Sequence, residues 1–313
     1  MAAYEPAYTP PGPKAREQLE QLLAGKKQVL PYVQPWYLDA VAPGQWGLVA
    51  ALHPEGLAGG LPVFPQKKGV WKYSYQPPFV QQCGPVVAPW VEQRKQPQLE
   101  QHKVIAALAE ALPKDWAAHT FAGPLQDYLP FLWKGYQLNL KYTYTLAPGA
   151  EGREPMVLFH RRRRQEVRQL SKHFQLRPLA VEGLSELFRR AGKNFQQPAY
   201  TRVLPILLRA AHSRQCLWLR GAYANEELTG AVAIISGAGR WINLINVTAT
   251  PWRKQSPVTV LLAEAISAAH ASGAMFDFEG SVKPGIARFF QYFGAVPEPY
   301  VVLERKSLGK LTL

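Results

Sequence analysis

The sequence predicts an α/β (α+β) protein of two tandem units, each a mixed, twisted sheet flanked by helices. Three observations carry that expectation. Strand-like and helix-like segments follow in the same order in both halves: three strands, a helix, a strand, a helix, a strand. A Pro/Gly linker, Ala147-Pro148-Gly149-Ala150, falls between the halves. A chain of 313 residues, 47% of them hydrophobic, can bury two ordinary cores. The expected units are therefore 1–147 and 148–313.

Residues 1–13, rich in proline and small residues, read as a flexible lead-in. Pro13 opens a helix with Leu19, Leu22 and Leu23 on one face, and a short helix follows Pro35 and stops at Pro43-Gly44. Trp46–Leu52, Leu57–Phe64 and Val70–Tyr75 read as strands. Val104, Ile105, Leu108 and Leu112 mark a helix, Trp116–Phe121 a strand, Leu125–Trp133 a short helix and Gln137–Leu146 an alternating strand. In the second half, helices are expected over about 156–173 and 183–192. A three-strand meander follows at Cys216–Tyr223, Leu228–Ile235 and Trp241–Ala249, with hairpin turns at Asn225-Glu226 and Gly237-Ala238-Gly239. Pro257–Ala271 reads as a helix capped by Ser256 and ended by Gly273. The strand Ala274–Phe278, the helix Pro284–Phe293 and the strand Tyr300–Arg305 complete the order.

Composition excludes several classes. No apolar run approaches the roughly 20 residues that span a bilayer, and the start, Met1-Ala2-Ala3-Tyr4-Glu5-Pro6, lacks the charged and apolar parts of a signal peptide. Two cysteines, Cys83 and Cys216, are too few for a disulfide framework. The expectation is a cytoplasmic protein without stable membrane insertion. The seven histidines show no ligand spacing, so no metal is expected. The net charge is +14, and residues 151–220 hold 15 Lys/Arg against 5 Asp/Glu. That local excess points to an anionic partner, or to a solvated basic face.

Within it, Arg161-Arg162-Arg163-Arg164 with Arg168 and Lys172 is the strongest charge signal. Arg164, Arg168 and Lys172 recur every four residues and share a helix face, with Arg161 nearby. Like charges at that spacing repel, which an anion such as a sugar phosphate or RNA would relieve. Asp277 and Glu279 are two apart on a strand and are expected on one face. One of them can act as general base for an amine, or either can pair with Lys283 or Arg288 and pin the last helix. Asn243 and Asn246 are expected on opposite faces of their strand, where a buried amide needs a partner and Asn246 is placed to hold a substrate group. Gln76-Pro77-Pro78-Phe79-Val80-Gln81-Gln82 is a rigid loop rich in amide side chains.

Two features then carry a family resemblance. The order of the second half resembles the GNAT acyltransferase core. Phe276-Asp277-Phe278-Glu279-Gly280-Ser281, followed by Gly285–Gly294, resembles the C-terminal signature of the Fem-type and BioF2-like acyltransferase families, GNAT-related proteins of which the Fem enzymes are tandem. The strand Tyr142–Leu146 and the basic helix after it extend the likeness. The resemblance implies an acyl-CoA donor beside the strand containing Val247. Its pyrophosphate would meet the helix start preceded by Arg253, Lys254, Gln255 and Ser256. It also implies an acceptor carrying phosphate or sugar, held by Arg161, Arg164, Arg168, Lys172, Lys283 and Arg288. Fem enzymes instead take an amino acid from aminoacyl-tRNA, and their last helix carries Phe-Lys. This chain has Phe289-Phe290, and an aromatic ring supplies no positive charge to an oxyanion, so tRNA is the less favoured donor. A catalytically silent protein that binds RNA or an anionic glycan is the alternative outside enzymes.

Overall fold

The computed structural model describes residues 4–26, 28–124, 126–148 and 155–306; Gly149 and Ala150 of the expected linker lie outside them. The chain divides into two compact units. One runs as far as Lys141 and takes back the chain from Pro299; the other is Tyr142–Glu298.

The first unit begins with a strand where a flexible lead-in was expected. β1 (Glu5–Thr9) pairs antiparallel with β2 (Gly47–His53) at the sheet edge, where Pro6 costs no ladder hydrogen bond on the open side. β3 (Gly56–Val63) continues the antiparallel order. α1 (Pro13–Leu23) buries Leu19 and Leu22 against this sheet, and α2 (Pro35–Val41) follows. β4 (Pro65–Lys68) and β5 (Trp71–Ser74) form a hairpin. β6 (Val86–Val87) closes the first sheet beside β3, and α3 (Pro89–Glu92) leads to α4 (Pro97–Ala111), which packs on β1–β3 through Val104, Ile105 and Leu108. β7 (Trp116–Pro124) lies parallel to β5, before α5 (Leu129–Trp133).

β8 (Gln137–Leu146) crosses from the first unit into the second. The second unit continues with α6 (Arg161–Leu170), β9 (Gln175–Pro178), α7 (Gly183–Ala191) and α8 (Leu204–Ser213). The meander is β10 (Leu217–Ala224), β11 (Glu227–Gly237) and β12 (Arg240–Thr248). Both its turns have positive φ at two central residues, Asn225/Glu226 and Ala238/Gly239, the geometry that matches strand twist. α9 (Pro257–Ala271) has the bounds its sequence predicts. β13 (Met275–Gly280) and α10 (Pro284–Gln291) follow, and β14 (Val296–Lys306) ends the described chain. In this unit the strand order is β8-β13-β12-β11-β10-β9. α9 lies over β10–β13, and its Leu261, Leu262 and Ile266 meet Val232, Ile234, Phe276 and Phe278 in one core.

The division differs from a linear cut at residue 147. Thr143–Leu146 of β8 pair with β13, burying Tyr144 and Leu146 in the second core. Tyr300–Lys306 of β14 pair with β7, and Val301 and Leu303 are buried there. Reading order alone does not say which sheet a strand joins. α8 was missed as well. Its Leu204, Leu207, Leu208 and Ala211 have helical spacing, and Pro205 sits in the first turn, where proline is tolerated.

Candidate functional site

The sheet of the second unit forks. β12 and β13 run parallel and pair only from Arg240↔Met275 to Ile242↔Asp277. β12 then stays with β11 as far as Gly230↔Thr248, while β13 stays with β8 to Gly280↔Thr143. From Asn243 onward one edge of β12 faces a gap, and its backbone groups have no strand beside them among the described residues.

Two bulges shape this fork. Asn243 lies opposite Ile234 and Ile245 opposite Ala233, so Leu244 is an extra residue in β12. The alternation therefore shifts phase, and Asn246, opposite Val232, shares a face with Asn243 rather than lying on the other. Both Oδ1 atoms are buried without a hydrogen-bond partner. Each costs about 1–3 kcal/mol in that state. The second bulge is in β13, where Asp277 and Gly280 oppose Thr145 and Thr143. Glu279 has φ 56°, in the left-handed region, so Asp277 and Glu279 do not share a face by simple alternation.

Asp277 is 1% exposed and fully engaged. Arg240 Nη1 donates to its Oδ2 at 2.8 Å, while the Thr143 hydroxyl and the Glu279 amide (2.9 Å) donate to Oδ1. Arg240 also holds Glu298, at 3.1 Å. Burial pushes the Asp277 carboxyl up, and Arg240, the Thr143 hydroxyl and the Glu279 amide oppose that. Asp277 thus ties β12, β13 and β8 together at the last pair before the fork. The cation is Arg240, not the expected Lys283 or Arg288, which are both exposed. Glu279, half-buried, stands at the end of β13.

α9 starts beside the end of β12. A Cβ on Gly230 would lie 2.9 Å from Pro257 Cγ, so only glycine lets the helix begin there. Ser256 has φ 49° and does not cap a backbone amide; its hydroxyl meets that of Thr259 at 3.0 Å and its carbonyl accepts the Thr259 amide. Pro257 carries no N–H. The helix start thus keeps fewer free amides for an anion than the sequence suggests. Arg253, Lys254 and Gln255 are all exposed, and Arg253 donates to the Ala191 carbonyl at 2.6 Å, closing the end of α7. The Val247 side chain is 1% exposed, opposite Ala231, so only its backbone can meet a cofactor.

α6 carries the basic face. A depression of about 820 Å³ is lined by Met156, Val157, Arg161, Arg164, Gln165 and Arg168, with Lys172 exposed one turn beyond Arg168. None of these cations has a carboxylate partner among the described residues; Arg164 Nη1 donates to the Val157 carbonyl at 3.1 Å. Arg163 is the exception within the run. It is 4% exposed and bonds Glu166 (2.8 Å) and Thr259 (3.2 Å), with its guanidinium carbon 4.4 Å from the Phe289 ring centre and 4.5 Å from that of Phe293. Burial pulls its guanidinium down from the ordinary value. Arg163 therefore joins α6, α9 and α10. Its spacing to Val167 and Leu170 marks the inward face, a signal present in the sequence. Arg163→Met is expected to lower the melting temperature, while Arg161→Ala and Arg168→Ala leave it unchanged or slightly raised through reduced repulsion. Thermal denaturation of the three variants checks this.

Comparison with known proteins bears on the same unit. Residues 157–289 match a family model described as an acetyltransferase (GNAT) domain. This segment is similar to a GNAT domain. It contains the basic helix, the meander, the fork and most of α10. A search of curated proteins finds no match. Among solved structures, FemX is similar over 93% of this chain and 96% of its own, with 11% identity and a TM-score of 0.64. A tandem GNAT protein from the clavulanic acid biosynthesis pathway is similar over 98% and 100%, with 13% identity and a TM-score of 0.59. L-PGS from Bacillus licheniformis is similar over 96% and 94%, with 13% identity and a TM-score of 0.55. These likenesses show a tandem GNAT fold over nearly the whole chain, and the segment matched by the family model lies within its second unit. No helix among the described residues is long and apolar enough to cross a membrane, and no cluster of His, Cys, Asp and Glu there has the makings of a metal site.

Proposed function

We propose that the protein transfers an acyl group from a thioester donor, acyl-CoA, to an amine of a phosphorylated or sugar-containing acceptor. The observation that carries this reading is the fork: β12 beyond Ile242 presents an unpaired strand edge, beside a helix start, to a donor entering from the side. Backbone amides of that edge would polarise the donor carbonyl as negative charge develops on its oxygen. Asp277 is too enclosed to exchange protons with a substrate, so the base in this proposal is Glu279 at the open end of β13. The amine attacks the thioester carbonyl, its proton passes to Glu279, and the thiolate of CoA leaves. Arg161, Arg164 and Arg168 would hold the acceptor's phosphate in their shared depression, with Lys172, Lys283 and Arg288 as further cations, and Lys254 and Gln255 would face the donor's phosphates.

The test is release of free thiol from acetyl-CoA and longer acyl-CoAs in the presence of amino sugars and their phosphates. Acceptor-dependent release is expected, and Glu279→Gln is expected to reduce it by about 10²–10⁴-fold. The triple change Arg161→Ala, Arg164→Ala, Arg168→Ala should raise KM for phosphorylated acceptors while sparing neutral ones.

One observation favours a second reading, Fem-type transfer from aminoacyl-tRNA: Pro257 and the Thr259–Ser256 contact leave the α9 start poorly equipped for a pyrophosphate. Phe290 speaks against it, since its ring is buried against Phe278 and Tyr144 and offers no charge. Thermal protection by charged tRNA, with none by any CoA thioester, would decide for this reading.

A further inference from the structure

The first unit contains a cavity that acyl transfer leaves unused. It has a volume of about 230 Å³ and lies among the chain after α1, the loop leading into β6, α4 and the end of β7. Val29, Leu30, Val33 and Val86 give it apolar walls. The formal charges on its lining cancel, because Lys26 Nζ bonds Glu92 at 2.9 Å and the Val87 carbonyl at 2.7 Å. The remaining polar lining is four glutamines: Gln28, Gln82, Gln101 and Gln126.

These amides are short of partners. Gln82 is 5% exposed, and its amide makes one contact, Nε2 to Gln81 Oε1 at 3.5 Å, the outer limit of a hydrogen bond. Gln126 reaches the Tyr128 hydroxyl at 3.2 Å. Gln28 and Gln101 form no side-chain hydrogen bond among the described residues. Gln82 is the buried one of the four, Gln101 is half-buried, and Gln28 and Gln126 are exposed, so Gln82 and Gln101 are the amides that present hydrogen-bonding capacity beside the apolar wall.

We propose that this cavity binds a small neutral molecule whose hydroxyl or amide groups pair with the Gln82 and Gln101 side chains and whose aliphatic part covers the valine wall. A carboxamide offers donors and an acceptor side by side, which matches a hydroxyl or another amide. An ion finds no counter-charge here, since Lys26 and Glu92 already neutralise each other. The volume falls below the usual range of about 300–1,000 Å³ for ligand pockets, which sets the ligand at the size of a hexose or a single blocked amino acid. For so few atoms the affinity is millimolar.

Saturation-transfer NMR on the full chain tests this, with N-acetylalanine methylamide as the amide probe, glucose as the hydroxyl probe, and acetate and methylammonium as charged probes. The expected result is saturable millimolar binding of at least one neutral probe and none of the ions; which neutral probe binds identifies the chemistry. Gln82→Leu is expected to weaken binding about tenfold, the equivalent of one lost hydrogen bond. Gln101→Ala, at the half-buried mouth, is expected to weaken it several-fold with an unchanged melting temperature. The triple arginine variant of α6 should bind the probe as the unaltered protein does, which keeps this outcome separate from that of acyl transfer. Failure of both neutral probes to bind, equal binding of the ions, or full binding in both glutamine variants overturns the proposal.

Discussion

Arg240→Met is expected to destabilise the protein by about 3–5 kcal/mol, because it leaves the Asp277 carboxylate buried without its cation. Asp277 sits at 1% exposure, and its other donors, the Thr143 hydroxyl and the Glu279 amide, are neutral. Asp277→Ala removes the charge but orphans those two donors, and Arg240 retains Glu298 at 3.1 Å, so a smaller loss is expected. The double variant Arg240→Met, Asp277→Ala is expected to be more stable than Arg240→Met alone, since the buried carboxylate is gone. Denaturant unfolding of the four proteins closes the cycle and gives the coupling between the pair. Equal stability of Arg240→Met and the unaltered protein would show that water reaches Asp277.

The same cycle bears on activity. Asp277 accepts the amide of Glu279, which holds the left-handed turn that aims that side chain. Asp277→Asn keeps an acceptor for this amide and for Thr143. It should therefore preserve more acyl transfer than Asp277→Ala at matched folded fraction, a comparison read in kcat rather than KM.

How much of this was legible in the sequence depends on whether the determinant is local. The bounds of α9 were, because Pro257 and Gly273 punctuate it, and the meander turns were, because Asn225 and Gly239 mark them. The phase of the strands beyond their first residues was not. Alternation assumes that each residue advances the pleat, and the bulges at Leu244 and before Gly280 break that assumption. They brought Asn243 and Asn246 to one face and separated Asp277 from Glu279. Asp277 stands out in the sequence as a carboxylate, but its partner Arg240 lies 37 residues away on a neighbouring strand, which only the parallel register reveals. The arginine run read correctly as a helix with a charged face. Arg163 turns inward with Val167 one turn on, a spacing visible in the sequence although arginines mostly face water.

Acid is expected to weaken the first unit through His119, and the direction follows from burial. The ring is 1% exposed on β7, lies 5.4 Å from the Phe121 ring and shares a 2.7 Å hydrogen bond with the Tyr136 hydroxyl. Burial, with Arg305 nearby as a lesser cause, pulls its pKa from 6.5 down to about 3. The unfolded chain therefore binds this proton at a higher pH than the folded one. The stability held by neutral His119 is complete above pH 6.5 and is lost as pH falls from there toward 3. The slope is about 1.4 kcal/mol per pH unit, and the full loss is on the order of 4–5 kcal/mol. Glu264, on α9 in the second unit, is raised by its own burial and acts in the opposite sense there. His119→Gln keeps a polar partner for Tyr136 and cannot take up the proton. Its stability, measured by denaturant unfolding between pH 6.5 and 4.5, is expected to fall less steeply than that of the unaltered protein. Parallel slopes would mean that the His119 proton is taken up without unfolding, through an opening of the β7–Tyr136 contact that the folded structure does not show.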